Sequence, residues 1–116
     1  MRKPSAATPS ASLVARASAV ATAPGALVIV AEDVRFSTDA LAAASGPLTI
    51  EFVNRDVGVA HDFTVYRSKD DLRTPLVESA ITAGPDRQTL NLDLVPGVYY
   101  YNCQVHPDME GTLTVQ

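Results

Sequence analysis

The sequence predicts an all-β fold, a Greek-key β-sandwich of six to eight strands. After Pro24 the apolar residues fall in short runs rich in Val, Ile and Leu, and turn residues separate these runs. No segment of the sequence keeps the 3.6-residue period of a long helix. The chain has 116 residues, enough for one domain with a single core. Many short strands without a long helix are typical of a sandwich.

The first half of the domain contains two strong strand signals. A strand is predicted at residues 26–30, and we expect it to continue through 34–36 after an acidic pair. Residues 39–45, which are mostly Ala, are expected to form a loop or a helical turn. A Gly-Pro pair then marks a turn. In residues 48–54 every second residue is apolar, which predicts a strand with one buried face.

The second half begins with a strand predicted at residues 61–66. Residues 67–87 are rich in charge, Pro and Gly, so we expect irregular structure with one helical turn near 76–80. Leucines alternate with polar residues in 89–94, which predicts another half-buried strand. A Pro-Gly turn leads to strands expected at 98–103 and 112–116.

Residues 1–24 differ from the rest in composition. Ala, Ser, Thr and Pro dominate, so we interpret this segment as a disordered tail or linker before a domain at 25–116. A remnant of an export signal and a tether whose membrane anchor lies outside this chain are the alternatives. The segment carries a charge of +3, and the domain carries −7. An acidic domain of this kind argues against nucleic acid as a partner and favours a protein with a basic docking face.

The chemistry-bearing residues are concentrated near the end of the chain, in Cys103, His106 and Met109. Two residues separate each from the next, so one tight loop after a strand can turn all three side chains toward one point. A thiolate, an imidazole and a thioether form a soft donor set that suits both Cu(I) and Cu(II). A trigonal copper site needs a second imidazole, and His61 is the one other histidine in the sequence.

Each of these residues has a simpler interpretation when taken alone. A lone cysteine is commonly a small buried apolar residue, and a lone methionine commonly fills a core. The single cysteine also excludes an internal disulfide. Two further hypotheses use the same residues: Cys103 as a nucleophile with His106 or His61 as its base, and a copper-delivery protein with the same ligands. The combination of these residues favours one type 1 copper ion held by His61, Cys103, His106 and Met109.

Residues 100–109 (YYNCQVHPDM) resemble the C-terminal copper loop of the cupredoxins, and their short spacing is most similar to the amicyanin type. Residues 48–66 resemble the family's strand, loop, histidine and strand segment. The resemblance covers about residues 26–116. It implies a Greek-key sandwich with copper at one end, single-electron exchange with redox protein partners, and a periplasmic or otherwise exported location.

One departure from the family stands beside His61. Many members have Asn after this histidine, and the Asn side chain ties the histidine loop to the cysteine loop, whereas this chain has Asp62. An ionised carboxylate accepts N–H hydrogen bonds but donates none. A negative charge near the metal also favours Cu(II) over Cu(I). We therefore expect Asp62 to join the two loops as an acceptor and to lower the reduction potential.

His106, in a Pro-flanked loop, is the predicted point of electron entry and exit. Apolar residues around it are expected to form a small docking patch for redox partners, and we expect the protein to act as a monomer. The residues of this docking patch are Val57, Val59, Ala60, Pro85 and Pro107.

Overall fold

The computed structural model describes residues 21–23 and 25–116, and these residues form strands joined by turns and loops. The strands are β1 (Ala21–Ala23), β2 (Ala26–Ala31), β3 (Ala40–Ala43), β4 (Gly46–Asn54), β5 (Ala60–His61), β6 (Thr64–Tyr66), β7 (Val77–Glu78), β8 (Thr82–Ala83), β9 (Asp86–Leu94), β10 (Gly97–Asn102) and β11 (Glu110–Val115). The all-β prediction is confirmed.

The strands form two main sheets that pack face to face. One sheet has the order β1-β2-β4-β9, and the other has the order β3-β11-β10-β6-β7. The pairs β2–β4 and β3–β11 are parallel, and the other pairs within these sheets are antiparallel. A small third pair, β5–β8, lies beside the sheets. The predicted β-sandwich is therefore correct.

The core lies between the sheets and follows from the two-residue period of the strands. In β4 the alternate residues Leu48, Ile50 and Phe52 are buried, as the sequence pattern predicts. They belong to one core cluster with Tyr101 of the opposite sheet and with Phe63, which directly precedes β6. The rings of Phe63 and Tyr101 are 5.0 Å apart between centroids. Truncating a core aromatic of this size costs about 3–5 kcal/mol of stability, so this layer supports the loops at the sandwich ends.

Three local predictions are wrong. The first strand does not continue through residues 34–36: β2 ends at Ala31, and Asp33 and Val34 take positive φ values in a turn. Ala40–Ala43 forms a strand rather than a loop or helical turn, because β11 offers it a parallel partner edge. Val77–Glu78 pairs with β6 in place of the expected helical turn near 76–80.

The strand predicted at 61–66 is divided into two pieces. Ala60–His61 pairs with β8, and Thr64–Tyr66 pairs with β10 and β7. Asp62 and Phe63 lie between the two pieces, where the chain passes from one sheet system to the other. This break places His61 and Asp62 at one end of the sandwich, next to the end of β10.

The predicted linker at residues 1–24 lies largely outside the described residues. Ala21–Ala23 forms β1, which pairs with β2 through Ala21 opposite Leu27 and Ala23 opposite Ala26. The linker hypothesis for the preceding residues stays a prediction. Within residues 21–23 and 25–116, the chain forms no helix that is long and apolar enough to cross a membrane.

Candidate metal centre

The loop between β10 and β11 is closed by its own backbone. The N–H of Cys103 donates to the carbonyl of Met109 at 2.9 Å, directly beyond the last pair of the ladder, Asn102 opposite Glu110. Within the loop, the N–H of His106 donates to Cys103 O at 3.2 Å and the N–H of Met109 donates to His106 O at 2.8 Å. These two turns give the seven-residue loop a defined shape at the end of the sandwich.

Three of the four predicted ligands converge at this end. The Sγ atom of Cys103 lies 3.8 Å from Nδ1 of His61 and 3.8 Å from Nδ1 of His106. All three donor atoms lie within 4.8 Å of one another, a spacing at which they could hold one metal ion. His61 and Cys103 are fully buried, and His106 is partly exposed. One imidazole therefore lies inside the protein, while the other reaches the surface.

Met109, the fourth predicted ligand, is 3% exposed and belongs to the same apolar core cluster as Cys103. Its backbone is held at both the N–H and the carbonyl by the loop hydrogen bonds. The methionine is thus buried at the base of the loop, and its role as an axial ligand stays a prediction.

Asp62 joins the histidine segment to the cysteine loop, as the sequence predicts. Its Oδ1 accepts the backbone N–H of Gln104 at 2.7 Å, and its Oδ2 accepts the hydroxyl of Thr64 at 2.7 Å. The backbone N–H of Asp62 also points to the Sγ of Cys103 at 3.5 Å. Asp62 is fully buried, and both of its oxygens act as acceptors. The expected acceptor role is confirmed.

The surroundings of Cys103 disfavour its thiolate form in the absence of a nearby cation. Burial raises the pKa of the thiol above its ordinary value, against the smaller opposing effect of nearby N–H groups. Reactive cysteines instead have lowered pKa values and partial exposure. A bound cation would supply the positive charge that stabilises the thiolate. The thiol environment therefore gives no support to the hypothesis of a nucleophilic enzyme.

Sequence reasoning missed Asp56, which contacts the ring of His61 from the side away from Cys103. Nε2 of His61 lies 2.7 Å from Oδ2 of Asp56. Hydrogen bonds, first from the N–H of Val34 and then from His61, hold the pKa of Asp56 below its ordinary value. An acidic residue five positions before a histidine does not by itself predict a contact between the two side chains. The contact depends on the geometry of the loop between them, and distant strands set that geometry.

Hydrogen bonds and close backbone contacts connect the loop that carries Asp56 to residues far along the chain. Asn54, which is buried, accepts the N–H of Asp56 with its Oδ1 and donates from Nδ2 to the carbonyls of Val59 and Thr82. A Cβ at Gly84 would lie 2.9 Å from Oδ1 of Asn54 and closer still to the carbonyl of Asp56. Glycine is therefore needed at position 84, since any larger residue would push this loop away.

Residues of the predicted docking patch differ in exposure. Val57 is 79% exposed, and Val105, which the sequence reasoning did not include, is 43% exposed. His106 lies in the same loop as Val105. Of the remaining members of the docking patch, Pro85 and Pro107 are exposed, and Val59 and Ala60 are partly buried.

A β-sandwich with a His-Cys-His donor set at one end defines a class of small metal-binding proteins. The profile of the cupredoxin-like domain matches residues 6–115 of this chain. The chain therefore belongs to the cupredoxin-like family. A search of curated protein sequences gave no significant match.

Solved structures with a similar fold include two auracyanins and an amicyanin. An auracyanin from the photosynthetic bacterium Roseiflexus castenholzii, reduced with dithionite, is 16% identical, with 81% of this chain and 98% of that chain covered and a TM-score of 0.72. Auracyanin A of Chloroflexus aurantiacus, described as a "blue" copper protein, is 20% identical, with 81% and 100% covered and a TM-score of 0.70. A reduced Cu(I) form of an amicyanin variant is 21% identical, with 82% and 86% covered and a TM-score of 0.62. At these identities the similarity establishes a shared fold.

Proposed function

We propose that this protein carries single electrons by means of one type 1 copper ion held by His61, Cys103, His106 and Met109. The observation that carries the proposal is the convergence of Cys103 Sγ and two imidazole Nδ1 atoms within 4.8 Å in a largely buried site. Two imidazoles and one thiolate, with a weak methionine, form the donor set of copper sites specialised for electron transfer. The copper proteins among the structural neighbours support the same function.

The residues of the chain favour small changes of geometry on electron transfer. Copper, when bound, supplies a one-electron change between Cu(II) and Cu(I). The backbone N–H of Cys103 donates to the carbonyl of Met109 directly beyond the β10–β11 ladder, and its Sγ receives the N–H of Asp62. His61 is held by Asp56 on its other ring nitrogen. A donor set fixed in this way before the metal binds needs little rearrangement when the charge of the metal changes.

Visible spectroscopy of the full chain tests the site. Adding one equivalent of Cu(II) to metal-free protein is expected to give an intense thiolate-to-copper charge-transfer band, and Cys103→Ser is expected to abolish it. Asp93→Asn, at the far end of β9, is the matched control and should keep the band. A folded wild-type protein without the band would contradict the proposal.

Electrochemistry then separates electron transfer from the alternative of copper delivery, which uses the same ligands. A reversible one-electron wave and fast self-exchange are expected for a carrier. Binding restricted to Cu(I), without a reversible wave, would favour delivery instead. Met109→Leu is expected to retain the visible band and shift the potential, because an axial ligand tunes the metal more than it holds it. An unchanged potential would remove Met109 from the ligand set.

We further propose that redox protein partners dock at the apolar patch around His106 and that the protein acts as a monomer outside the cytoplasm. The exposure of Val57 and Pro107 and the partial exposure of His106 support this docking site. Whether residues 1–24 serve as an export remnant or as a membrane tether would be tested by fractionating cells that produce the chain. Val57→Asp should slow electron exchange with a partner while leaving the visible band unchanged.

A further inference from the structure

Asp56 lies where a carboxylate can act on the metal centre without touching the metal. Its Oδ2 is 2.7 Å from Nε2 of His61, and the opposite ring nitrogen, Nδ1, faces Cys103 Sγ at 3.8 Å. His61 is fully buried, so bulk solvent does not reach either ring nitrogen. Among the described residues, the ring of His106 has no comparable carboxylate partner; it contacts Cys103 Sγ and the ring of His61.

We propose that Asp56 is a positioning residue that holds His61 in the tautomer with the proton on Nε2, leaving the Nδ1 lone pair directed at the metal position. The inference rests on the proposed function for the identity of the metal. It concerns a property of the metal-free ring, however, and can therefore be tested separately. Carboxylate partners of this kind set the tautomer of ligating histidines and strengthen them as donors.

The hydrogen bonds around Asp56 fit an ionised carboxylate. Two backbone donors reach it, the N–H of Asp33 at 2.6 Å from Oδ1 and the N–H of Val34 at 2.9 Å from Oδ2, and Nε2 of His61 lies 2.7 Å from Oδ2. An asparagine at this position has one acceptor oxygen and one NH₂ donor group. If its oxygen faces His61, its NH₂ faces the N–H of Asp33. If its oxygen faces Asp33, its NH₂ faces His61 and favours the opposite tautomer.

The turn that supplies the two backbone donors is itself strained. Asp33 and Val34 have φ values of 57° and 54°, in the left-handed region that residues with side chains seldom adopt. For the β-branched Val34 this conformation is a genuine outlier. Consecutive N–H groups in a turn can form a concave site for an anion. Here the Asp56 carboxylate occupies that site, so the strained turn and His61 are joined through one side chain.

The expected consequence is that His61 is ready to bind a metal before the metal arrives. In the unfolded chain, both ring tautomers are populated. In the folded chain, Asp56 accepts a hydrogen bond from the Nε2–H group of His61, and the lone pair of Nδ1 is thereby left free. Loss of a partner of this type lowers metal affinity about 10–100-fold in other metal sites.

The test is ¹⁵N NMR of the histidine rings in the full, metal-free chain, at a pH at which the rings are neutral. The wild-type protein is expected to show His61 protonated on Nε2. Asp56→Asn is expected to populate the tautomer protonated on Nδ1, whereas Asp93→Asn removes the same charge from a distant exposed site and should leave His61 unchanged. As a second measurement, Zn(II) affinity is expected to fall at least tenfold in Asp56→Asn and to be unaltered in Asp93→Asn.

Two results would overturn the inference. One is a wild-type protein with His61 protonated on Nδ1, which needs no variant and so does not depend on whether Asp56→Asn folds. The other is a folded Asp56→Asn protein with an unchanged tautomer and unchanged Zn(II) affinity. Failure of the proposed function would look different, since the copper band would then be missing while the metal-free tautomer stayed as expected.

Discussion

Replacing Asp62 by Asn tests whether the buried carboxylate lowers the reduction potential of the site. The side chains have the same shape, and the amide oxygen can still accept the N–H of Gln104 that Asp62 accepts at 2.7 Å. The substitution therefore removes a charge while keeping the link between the two loops. Because a negative charge favours Cu(II) over Cu(I), the variant is expected to have the higher potential.

The size of the effect follows from the position of Asp62. Its backbone N–H lies 3.5 Å from Cys103 Sγ, and its carboxylate binds the residue after Cys103. For an assumed separation of about 7 Å between the carboxylate and the metal and an effective dielectric constant of about 20, one unit charge contributes about 2 kcal/mol. For a one-electron couple, a tenfold change in equilibrium corresponds to 59 mV, so the expected rise is about 100 mV.

Cyclic voltammetry of the copper-loaded wild-type and variant proteins measures this shift. Asp93→Asn is the control, because strand β9 places residue 93 about 20 Å from residue 86 at the site end. Exposed charges at such distances are screened by salt. An unchanged or lower potential in Asp62→Asn, with the visible band intact, would refute the electrostatic reasoning.

Three further predictions concern the metal-free protein and are measured by denaturant unfolding. Val34→Gly should raise the free energy of unfolding by up to about 1 kcal/mol, because glycine relieves the positive φ but loses more backbone entropy on folding; a lower value would argue against strain in this turn. Tyr101→Phe should lower stability by about 1 kcal/mol, since the Tyr101 hydroxyl donates to the carbonyl of Thr38 at 2.7 Å, and a loss near zero would contradict this. A hydrogen bond from the hydroxyl of Thr82 lowers the pKa of Asp86 below its ordinary value of 3.8. The ionised Asp86 therefore stabilises the fold above pH 3.8, and this stabilisation is lost as the pH falls through the folded-state pKa. Asp86→Asn should therefore make stability less dependent on pH in the acid range, and an unaltered pH profile would refute this assignment.

The metal centre could be predicted because its residues are rare in this chain. One cysteine and two histidines leave few combinations, and the structure brings all three together. The acceptor role of Asp62 followed from its position beside His61 and from the inability of a carboxylate to donate. The buried face of β4 followed from simple alternation, since each strand residue points opposite to its neighbours.

Features that depend on distant contacts could not be predicted. The turn at Asp33 and Val34 is held by a carboxylate more than twenty residues away, so the local sequence, with its β-branched valine, favoured a strand instead. Ala40–Ala43 has low intrinsic strand preference, and it forms β3 because β11 provides a parallel partner. The contact between Asp56 and His61 was missed for the same reason.

The backbone hydrogen bonds at the base of the β10–β11 loop determine which of its residues can change without disturbing the sheet. Asn102 pairs with Glu110, and the N–H of Cys103 donates to the carbonyl of Met109. These contacts close the loop where it joins the sheet. The side chains of Val105, Pro107 and Asp108 are exposed. Mutations among these three residues can change the exposed surface of the loop while the ladder stays intact. The exposed residues of the loop can therefore vary in sequence without a change in the strands that carry it.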